Sequence, residues 1–246
     1  MEDALDPRGG HNRYSYNQNF FKKWSFEMAY VLGFIFADGN VTDAAISSRT
    51  AYLHITNKDK EILEKIKCVM NSGHPITESR EKLLKYPNGW YRGGGTSRFR
   101  IGSKILCSDL KKLGVIPNKS KILRLPEIPQ IFFMDFVRGY FDGDGCVYIE
   151  KKDSLVGKKI RRIRVIFTSG SRNFLEDLSC AINRHILIEG SIYEKARSFQ
   201  LVYYTKGSNA LYKHMYKNAE ELCITRKKKK FEEYLESRRL GENCVR

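Results

Sequence analysis

The hydrophobic and polar positions of this chain fall into one order, and that order occurs twice. Two apolar runs stand out: residues 31–39 read V-L-G-F-I-F-A-D-G and residues 137–145 read V-R-G-Y-F-D-G-D-G. In each, small residues sit one helical turn apart, Gly33 and Ala37 in the first copy, Gly139 and Gly143 in the second, and each ends in Asp-Gly. The spacing predicts two helices with smooth stripes that cross with their backbones nearly touching. After the first copy, residues 40–47 and 51–57 read as a strand hairpin, the latter alternating as Y-L-H-I-T-N. Ile62, Leu63, Ile66 and Met70 then recur at helical spacing across residues 58–71. A second strand pair is predicted over residues 76–80 and 97–102, joined by a loop holding Gly93, Gly94 and Gly95. Residues 104–113 close the unit as a helix ended by Gly114.

The second half repeats this order, and its offsets bear the repeat out. Leu63 and Cys68 follow Thr56 by 7 and 12 residues, as Leu175 and Cys180 follow Thr168. From the motif Asp to the Thr the spacing is 18 residues in the first half and 24 in the second, so the second hairpin is longer, with its extra length at the tip, residues 151–159. Pro126 and Pro129 bracket a short, stiff connector. The expected division is a flexible arm over residues 1–19, halves over 20–126 and 127–235, and a tail over 236–246. The simplest architecture is α+β, a duplicated αββαββα unit about a pseudo-two-fold axis, each half carrying one four-stranded antiparallel sheet beside the helix pair.

The ends of the two motif helices carry the candidate chemistry. Gly39 and Gly145 read as helix-stopping glycines free to take positive φ. Asp38 and Asp144 then lie at the negative ends of their own helices and face one another, an arrangement that calls for positive charge between them. A pair of hard divalent cations, bound by the carboxylates and neighbouring carbonyls, supplies it. A single Asp-Gly is also a common turn dipeptide, but recurrence of the whole nine-residue pattern favours the helix-end reading.

The two runs resemble the LAGLIDADG motifs that name a family of homing endonucleases, and the chain is similar to the single-chain branch that carries both. The resemblance spans roughly residues 20–235. Phe36 departs from the pattern where the second copy keeps Asp142. The resemblance implies two sheets forming a DNA-binding saddle around the central motif helices. It implies two or more Mg²⁺, with Mn²⁺ able to substitute, at Asp38 and Asp144 with the carbonyls of Ala37 and Gly143. It further implies cleavage of both strands across the minor groove, leaving short 3′ overhangs, at a long asymmetric target. A basic residue beside each metal site stabilises charge at phosphorus or poises water in the family. The best matches are Lys119, 81 residues after Asp38, and Lys227, 83 residues after Asp144. Two other readings on the same fold stay open, an RNA-splicing maturase and a non-catalytic DNA-binding regulator; the Asp at both positions favours the nuclease.

Charge agrees with a polyanionic partner. Forty-four Lys and Arg against 28 Asp and Glu give a formal net charge of +16, spread over the chain as double-stranded DNA requires, with RNA also possible. Candidate DNA contacts on the strands are Arg49, Tyr52, His54, Arg80, Arg98 and Arg100 in the first half. In the second they are Tyr148, Glu150, Arg161, Arg162, Arg164, Tyr193, Lys195, Arg197 and Gln200, with Lys152 and Lys158 at the hairpin tip. Arg, Gln and Glu read base edges, whereas tip lysines hold phosphate. Arg8, Arg13, Tyr14 and Tyr16 are further candidates in the arm. The six cysteines have no C-x-x-C spacing and the five histidines no ligand spacing, which disfavours zinc and disulfide frameworks. No run has the length of a membrane span and the N-terminus lacks a signal-peptide pattern, so an intracellular monomer working with DNA is expected. Met1 and the ending Asn243-Cys244-Val245-Arg246 disfavour a self-splicing element.

Overall fold

The computed structural model describes residues 14–42, 50–80, 82–86, 88–117, 121–154, 157–217, 219 and 221–243. The first half runs α1 (Phe26–Asp38), β1 (Gly39–Val41), β2 (Tyr52–Asn57), α2 (Lys60–Val69), β3 (Ile76–Ser79), β4 (Lys82–Tyr86), β5 (Gly89–Gly93), β6 (Thr96–Gly102) and α3 (Lys104–Lys112). After the connector and a 3-10 turn over Gln130–Phe132, the second half runs α4 (Phe133–Asp144), β7 (Gly145–Ser154), β8 (Gly157–Ser169), α5 (Arg172–Ile186), β9 (Ser191–Lys195), β10 (Ser198–Tyr203), α6 (Thr205–Met215) and α7 (Thr225–Asn243). The fold is α+β, with two four-stranded antiparallel sheets in the orders β1-β2-β6-β3 and β7-β8-β10-β9.

Helices α1 and α4 form the centre. Ser25 caps α1 by accepting the Met28 N–H at 3.1 Å. From Met28 to Phe36 α1 is buried on every side, as is α4 from Phe133 to Asp142, which marks both as core helices. Their crossing is backbone against backbone. A Cβ on Gly33 would lie 2.1 Å from the Phe136 carbonyl oxygen, one on Gly139 2.0 Å from that of Tyr30, and one on Gly143 2.3 Å from Ala37 Cβ. The two motif copies occupy equivalent places in this contact, so the crossing is also the pseudo-two-fold axis.

The terminal glycines act differently from the expectation. Gly39 has φ −90° and ψ 150°, and Gly145 φ −98° and ψ 162°, both extended. Each N–H continues the helix ladder to Ile35 or Phe141, and the chain turns straight into a strand. A Cβ would stand 2.7 Å from the Ile35 carbonyl oxygen or 2.5 Å from that of Phe141, so glycine is required for clearance, not for positive φ. Gly114 does take positive φ, +88°, after α3.

Three further differences have local causes. β1 covers Gly39–Val41, and residues 43–47 of the expected strand lie outside the described residues. The glycine-bearing loop holds a separate two-stranded ribbon, β4 with β5, pairing Lys82 with Gly93 and Tyr86 with Gly89. Its Lys, Gly, Trp and Tyr residues lack the apolar alternation of a half-buried strand. Finally, α7 lies beyond the αββαββα unit: its opening run of basic residues hides an apolar stripe in which Phe231 and Tyr234 are buried. The expected arm is docked where it is described. Asn17 N–H donates to the Met70 carbonyl at 2.9 Å, and the half-buried Tyr16 donates its hydroxyl to Ser103 Oγ at 2.6 Å. The connector is tied to α5 by Arg124, which donates to both oxygens of Asp177 at 2.7 and 3.0 Å.

Gly33→Ala and Gly139→Ala must push the central helices apart, because the obstructing atoms are backbone. Each is expected to cost about 3 kcal/mol, at the upper end for overpacking, and to lower Tm by roughly 6–12 °C in a domain of this size. Gly94→Ala, whose Cβ meets only the end of Lys58 at 3.8 Å, should leave Tm unchanged. Equal thermal melts for all three variants would contradict the backbone contact.

Candidate active site at the crossing of the motif helices

The crossing brings Asp38 and Asp144 to one place. Asp38, half-buried, accepts a 2.5 Å hydrogen bond from Asn57 Nδ2, and its carboxylate lies 3.5 Å from where a Cβ of Gly143 would be. Asp38 thus lies against Gly143 of the opposite motif, where Ala37 Cβ, 2.3 Å from that would-be Cβ, is the atom that excludes a larger residue. Asp144, one residue on, is exposed. The buried hydroxyl of Tyr140 feels both acids: burial pushes its pKa up, and the charges of Asp144 and then Asp38 push it further. It donates to the Thr168 carbonyl at 2.7 Å. Two carboxylates and the carbonyl ends of two helices form a hard-oxygen donor set on the open side of the crossing, which suits a hard divalent cation. Among the described residues no group of three or more His, Cys, Asp or Glu is placed for a metal.

Lys227 lies at this site, in the first turn of α7. Its ammonium donates to the carbonyls of Phe141, Asp142 and Gly145 at 2.7 Å each, and the side chain is buried. A cation at the carbonyl end of α4 offsets the negative helix terminus on which Asp144 sits. Beside it Asp142 is fully buried, one carboxylate oxygen accepting the Tyr30 hydroxyl at 2.7 Å and the Ile224 N–H at 2.8 Å. Burial pushes Asp142 up, while Lys227, the Ile224 N–H, Tyr30 and Arg138 pull it down. Arg138 itself pairs with Asp135 at 2.7 Å and donates to the carbonyls of Met215 and Leu222, tying α4 to the chain after α6. Lys119, the other basic candidate, lies outside the described residues.

Strand alternation sorts the expected DNA contacts. In the first sheet Leu53, Ile55, Phe99 and Ile101 face the core, leaving Tyr52, His54, Arg98 and Arg100 on the opposite face. Arg100 stands opposite His54 and stacks 3.6 Å above the Tyr52 ring. Burial, and then the charges of Arg100 and Arg98, lower the His54 pKa, so it is neutral at pH 7. In the second sheet Ile163, Val165 and Phe167 face inward, while Tyr148 stands opposite Arg164, Glu150 opposite Arg162, and Gln200 opposite Tyr193. Glu150 binds Arg161 at 3.2 Å and Arg164 at 3.1 Å, and Arg161 sits at a register irregularity. Arg80, Lys152, Lys195 and Arg197 are exposed at hairpin ends. Lys158 pairs with Asp153 at the backbone, and Arg49 lies outside the described residues.

Reading the sequence alone missed Asn57, Tyr140, Tyr30 and the inward role of Asp142. Asn57 follows Thr56, one of the repeat markers, and is the one of these that the repeat points to. The others are recognisable only once the burial of α1 and α4 is known.

Comparison with known proteins agrees with this geometry. A family profile described as a LAGLIDADG-like domain matches residues 134–236. Similar curated proteins include the probable translation initiation factor IF-2 of Methanocaldococcus jannaschii, 28% identical over 177 residues, 70% of this chain and 12% of that protein. That of Thermococcus kodakarensis is 29% identical over 161 residues, 63% of this chain and 11% of that protein. The chain thus spans only a small fraction of the curated relatives it matches. Among solved structures, the homing endonuclease I-WcaI bound to its DNA recognition sequence is similar with a TM-score of 0.57 and 15% identity, covering 86% of this chain and 89% of that one. The LAGLIDADG meganuclease I-AabMI bound to uncleaved DNA has a TM-score of 0.54, 14% identity and coverages of 87% and 91%. The I-LtrWI LAGLIDADG homing endonuclease bound to target DNA has a TM-score of 0.52, 13% identity and coverages of 92% and 92%. These likenesses establish the fold. No helix of the described residues is long and apolar enough to cross a membrane.

Burial pushes the Lys227 ammonium down to about 8 from its ordinary 10.5, with Asp142 opposing and Arg226 adding to the shift. Between those values the unfolded chain holds a proton that the folded chain has released, so this group's contribution to stability rises with pH across that window. The stability of the wild type relative to Lys227→Met should therefore grow as pH is raised from 8 toward 10, measured by urea denaturation at each pH. A flat difference would show that the ammonium is not buried as described.

Proposed function

Because residues 134–236 belong to the LAGLIDADG-like domain family and the chain has the fold of LAGLIDADG homing endonucleases, we propose that it is a site-specific, metal-dependent double-strand DNA endonuclease. The observation that carries the reading is the meeting of Asp38 and Asp144 at the end of a helix crossing, beside two sheets whose outer faces are rich in Arg and Tyr. The relatives named as initiation factors are many times longer than the matched segment, and nothing in this geometry depends on a role in translation.

In this mechanism Asp38 and Asp144, with the carbonyls of Ala37 and Gly143, would hold two or more Mg²⁺, which would supply an activated water and charge neutralisation at the leaving oxygen. The chain's own groups do the rest. Asn57 orients the Asp38 carboxylate by donating to one of its oxygens. Lys227 keeps the carbonyl end of α4 in place under Asp144. The outer faces bind the two unequal half-sites of one duplex, so a single chain suffices. Arg98, Arg100, Arg162 and Arg164 read base edges and phosphates, while exposed lysines such as Lys152 and Lys195 hold the backbone. The substrate places the protein wherever that DNA is kept.

The experiment uses the host locus rejoined across the segment that encodes this chain, incubated with protein in Mg²⁺, in Ca²⁺ and in EDTA. Cleavage of both strands in Mg²⁺ is expected, with binding but no cutting in Ca²⁺, and Asp38→Asn or Asp144→Asn should reduce the rate by at least about 10³-fold or leave only nicks. Binding should weaken about 10³-fold or more between 50 and 200 mM salt if six or more phosphates are neutralised. Selective binding without cutting in any metal would move the reading to a DNA-binding regulator, and preference for structured RNA to a maturase.

A further inference from the structure

The outer face of the second sheet carries a carboxylate among its arginines. Glu150 stands on β7 opposite Arg162 of β8, and two further arginines of β8 close on it. One carboxylate oxygen accepts from Arg161 Nη1 at 3.2 Å, the other from Arg164 Nη2 at 3.1 Å. Arg164 is held from its sides as well. Tyr148 pairs with it across β7 and β8, and Tyr204 follows Tyr203, the partner of Val165, so Tyr148, Arg164 and Tyr204 form a row across the sheet. The guanidinium carbon lies 5.9 Å from the centre of the Tyr148 ring and 5.4 Å from that of Tyr204, whose hydroxyl shares a 2.8 Å hydrogen bond with that of Tyr193 on β9. Arg164 Nε is buried and has no hydrogen-bond partner among the described residues. Of the five guanidinium protons, one is thus buried and one is taken by Glu150, which leaves three on the Nη atoms.

Stability does not account for this cluster. The arginine side chains of the two pairs are 51% and 34% exposed, and ion pairs so placed contribute little. On the nuclease reading, on which this inference rests, the face meets DNA, and there the restraint has a consequence. An unrestrained arginine reaches phosphates, which are alike at every base pair, and adds affinity without discrimination. An arginine held by two rings and a carboxylate keeps its planar fork in one direction, which suits the adjacent acceptors N7 and O6 of guanine. Glu150 is repelled by phosphate and keeps acceptor sites beyond those it gives the arginines, so its favourable partner in the groove is a base amino group. Two donors followed by one acceptor match guanine N7 and O6 followed by N4 of the paired cytosine. A C·G pair presents the opposite order, and neither A·T nor T·A has two adjacent acceptors on its purine.

We propose that Arg164 and Glu150 together read one G·C base pair in the major groove, and that Glu150 also keeps Arg161 and Arg164 off the phosphates. Arg164 contacts the guanine and Glu150 the cytosine amino group of the same pair. Glu150 therefore lowers total affinity for DNA and raises selectivity.

The test is selection of random-sequence duplex DNA by the full chain in Ca²⁺, followed by binding measurements on the selected site. The wild type should select a motif holding one G·C pair at which every other base pair weakens binding by about 5- to 100-fold. Glu150→Gln, which keeps the shape of the side chain and removes its charge, should accept other pairs at that position within about three-fold. It should also bind unrelated duplex more tightly and steepen the dependence of log K on log salt by about one to two, as the freed arginines neutralise phosphates. Arg164→Lys should relax the same position without the gain on unrelated duplex. Both variants should melt within about 4 °C of the wild type, since only part-exposed pairs are lost. Relaxation at two different positions, or a Glu150→Gln protein with unchanged selectivity and salt dependence, would overturn the paired reader while leaving the nuclease reading intact. A wild type that selects the motif and shows these variant effects, but cuts its selected site in no metal, would overturn the nuclease reading alone. A wild type that selects no motif would overturn both.

Discussion

The contact on which this structure depends is the approach of two helix backbones at Gly33 and Gly139. With no side chain between them, the carbonyls of Phe136 and Tyr30 fill the places where Cβ atoms would stand. The closeness fixes where both helices end, and so brings Asp38 and Asp144 to one side of the axis. It also sets an electrostatic problem, since two carboxylates and two negative helix ends converge where the chain turns into its strands. The protein answers in part with its own cation, Lys227, at the end of α4. On the nuclease reading proposed above, the remaining charge is met by hard cations, and the strands that leave the crossing carry the outer faces toward DNA.

The duplication is closest at this axis and loosens away from it. Gly33 matches Gly139 and Ala37 matches Gly143 in the same contact. One turn aside, Phe36 and Asp142 differ, one held by rings and the other by a polar ring of contacts. Farther out, β7 and β8 run ten and thirteen residues against three and six for β1 and β2. The β4–β5 ribbon belongs to the first half alone among the described residues. Symmetry is kept where backbones touch and relaxed where side chains meet solvent or a partner, as expected if one chain binds two unequal half-sites.

The same gradient explains what was legible in the sequence. The small-residue spacing of the motif helices and the T-x6-L-x4-C repeat point to the crossing and the αββαββα order, because close packing and burial restrict residue type. Inward and outward faces follow from alternation once the register His54 with Arg100 and Tyr148 with Arg164 is known. Solvent-facing pieces left weaker traces: the β4–β5 ribbon lacks an alternating pattern, and α7 begins with basic residues before its buried Phe231. Asp142 reads as one more acid of the motif, and only its burial shows that it faces the protein instead of the site. Gly39 and Gly145, too, differ from what their Asp-Gly context suggests, since steric clearance from Ile35 and Phe141, and not positive φ, excludes other residues there.

The most direct test of the central claim, that the helix crossing builds one cation site from both motifs, is cleavage of the polypeptide itself by a redox-active stand-in ion. Fe²⁺ with ascorbate and peroxide cuts the backbone next to where the ion is bound, and Mg²⁺ in excess should compete it away. The account predicts competed cuts clustered near residues 37–39 and 143–145 together, and loss of both clusters in Asp38→Asn. Cuts at only one motif, or competed cuts elsewhere in the chain, would contradict it.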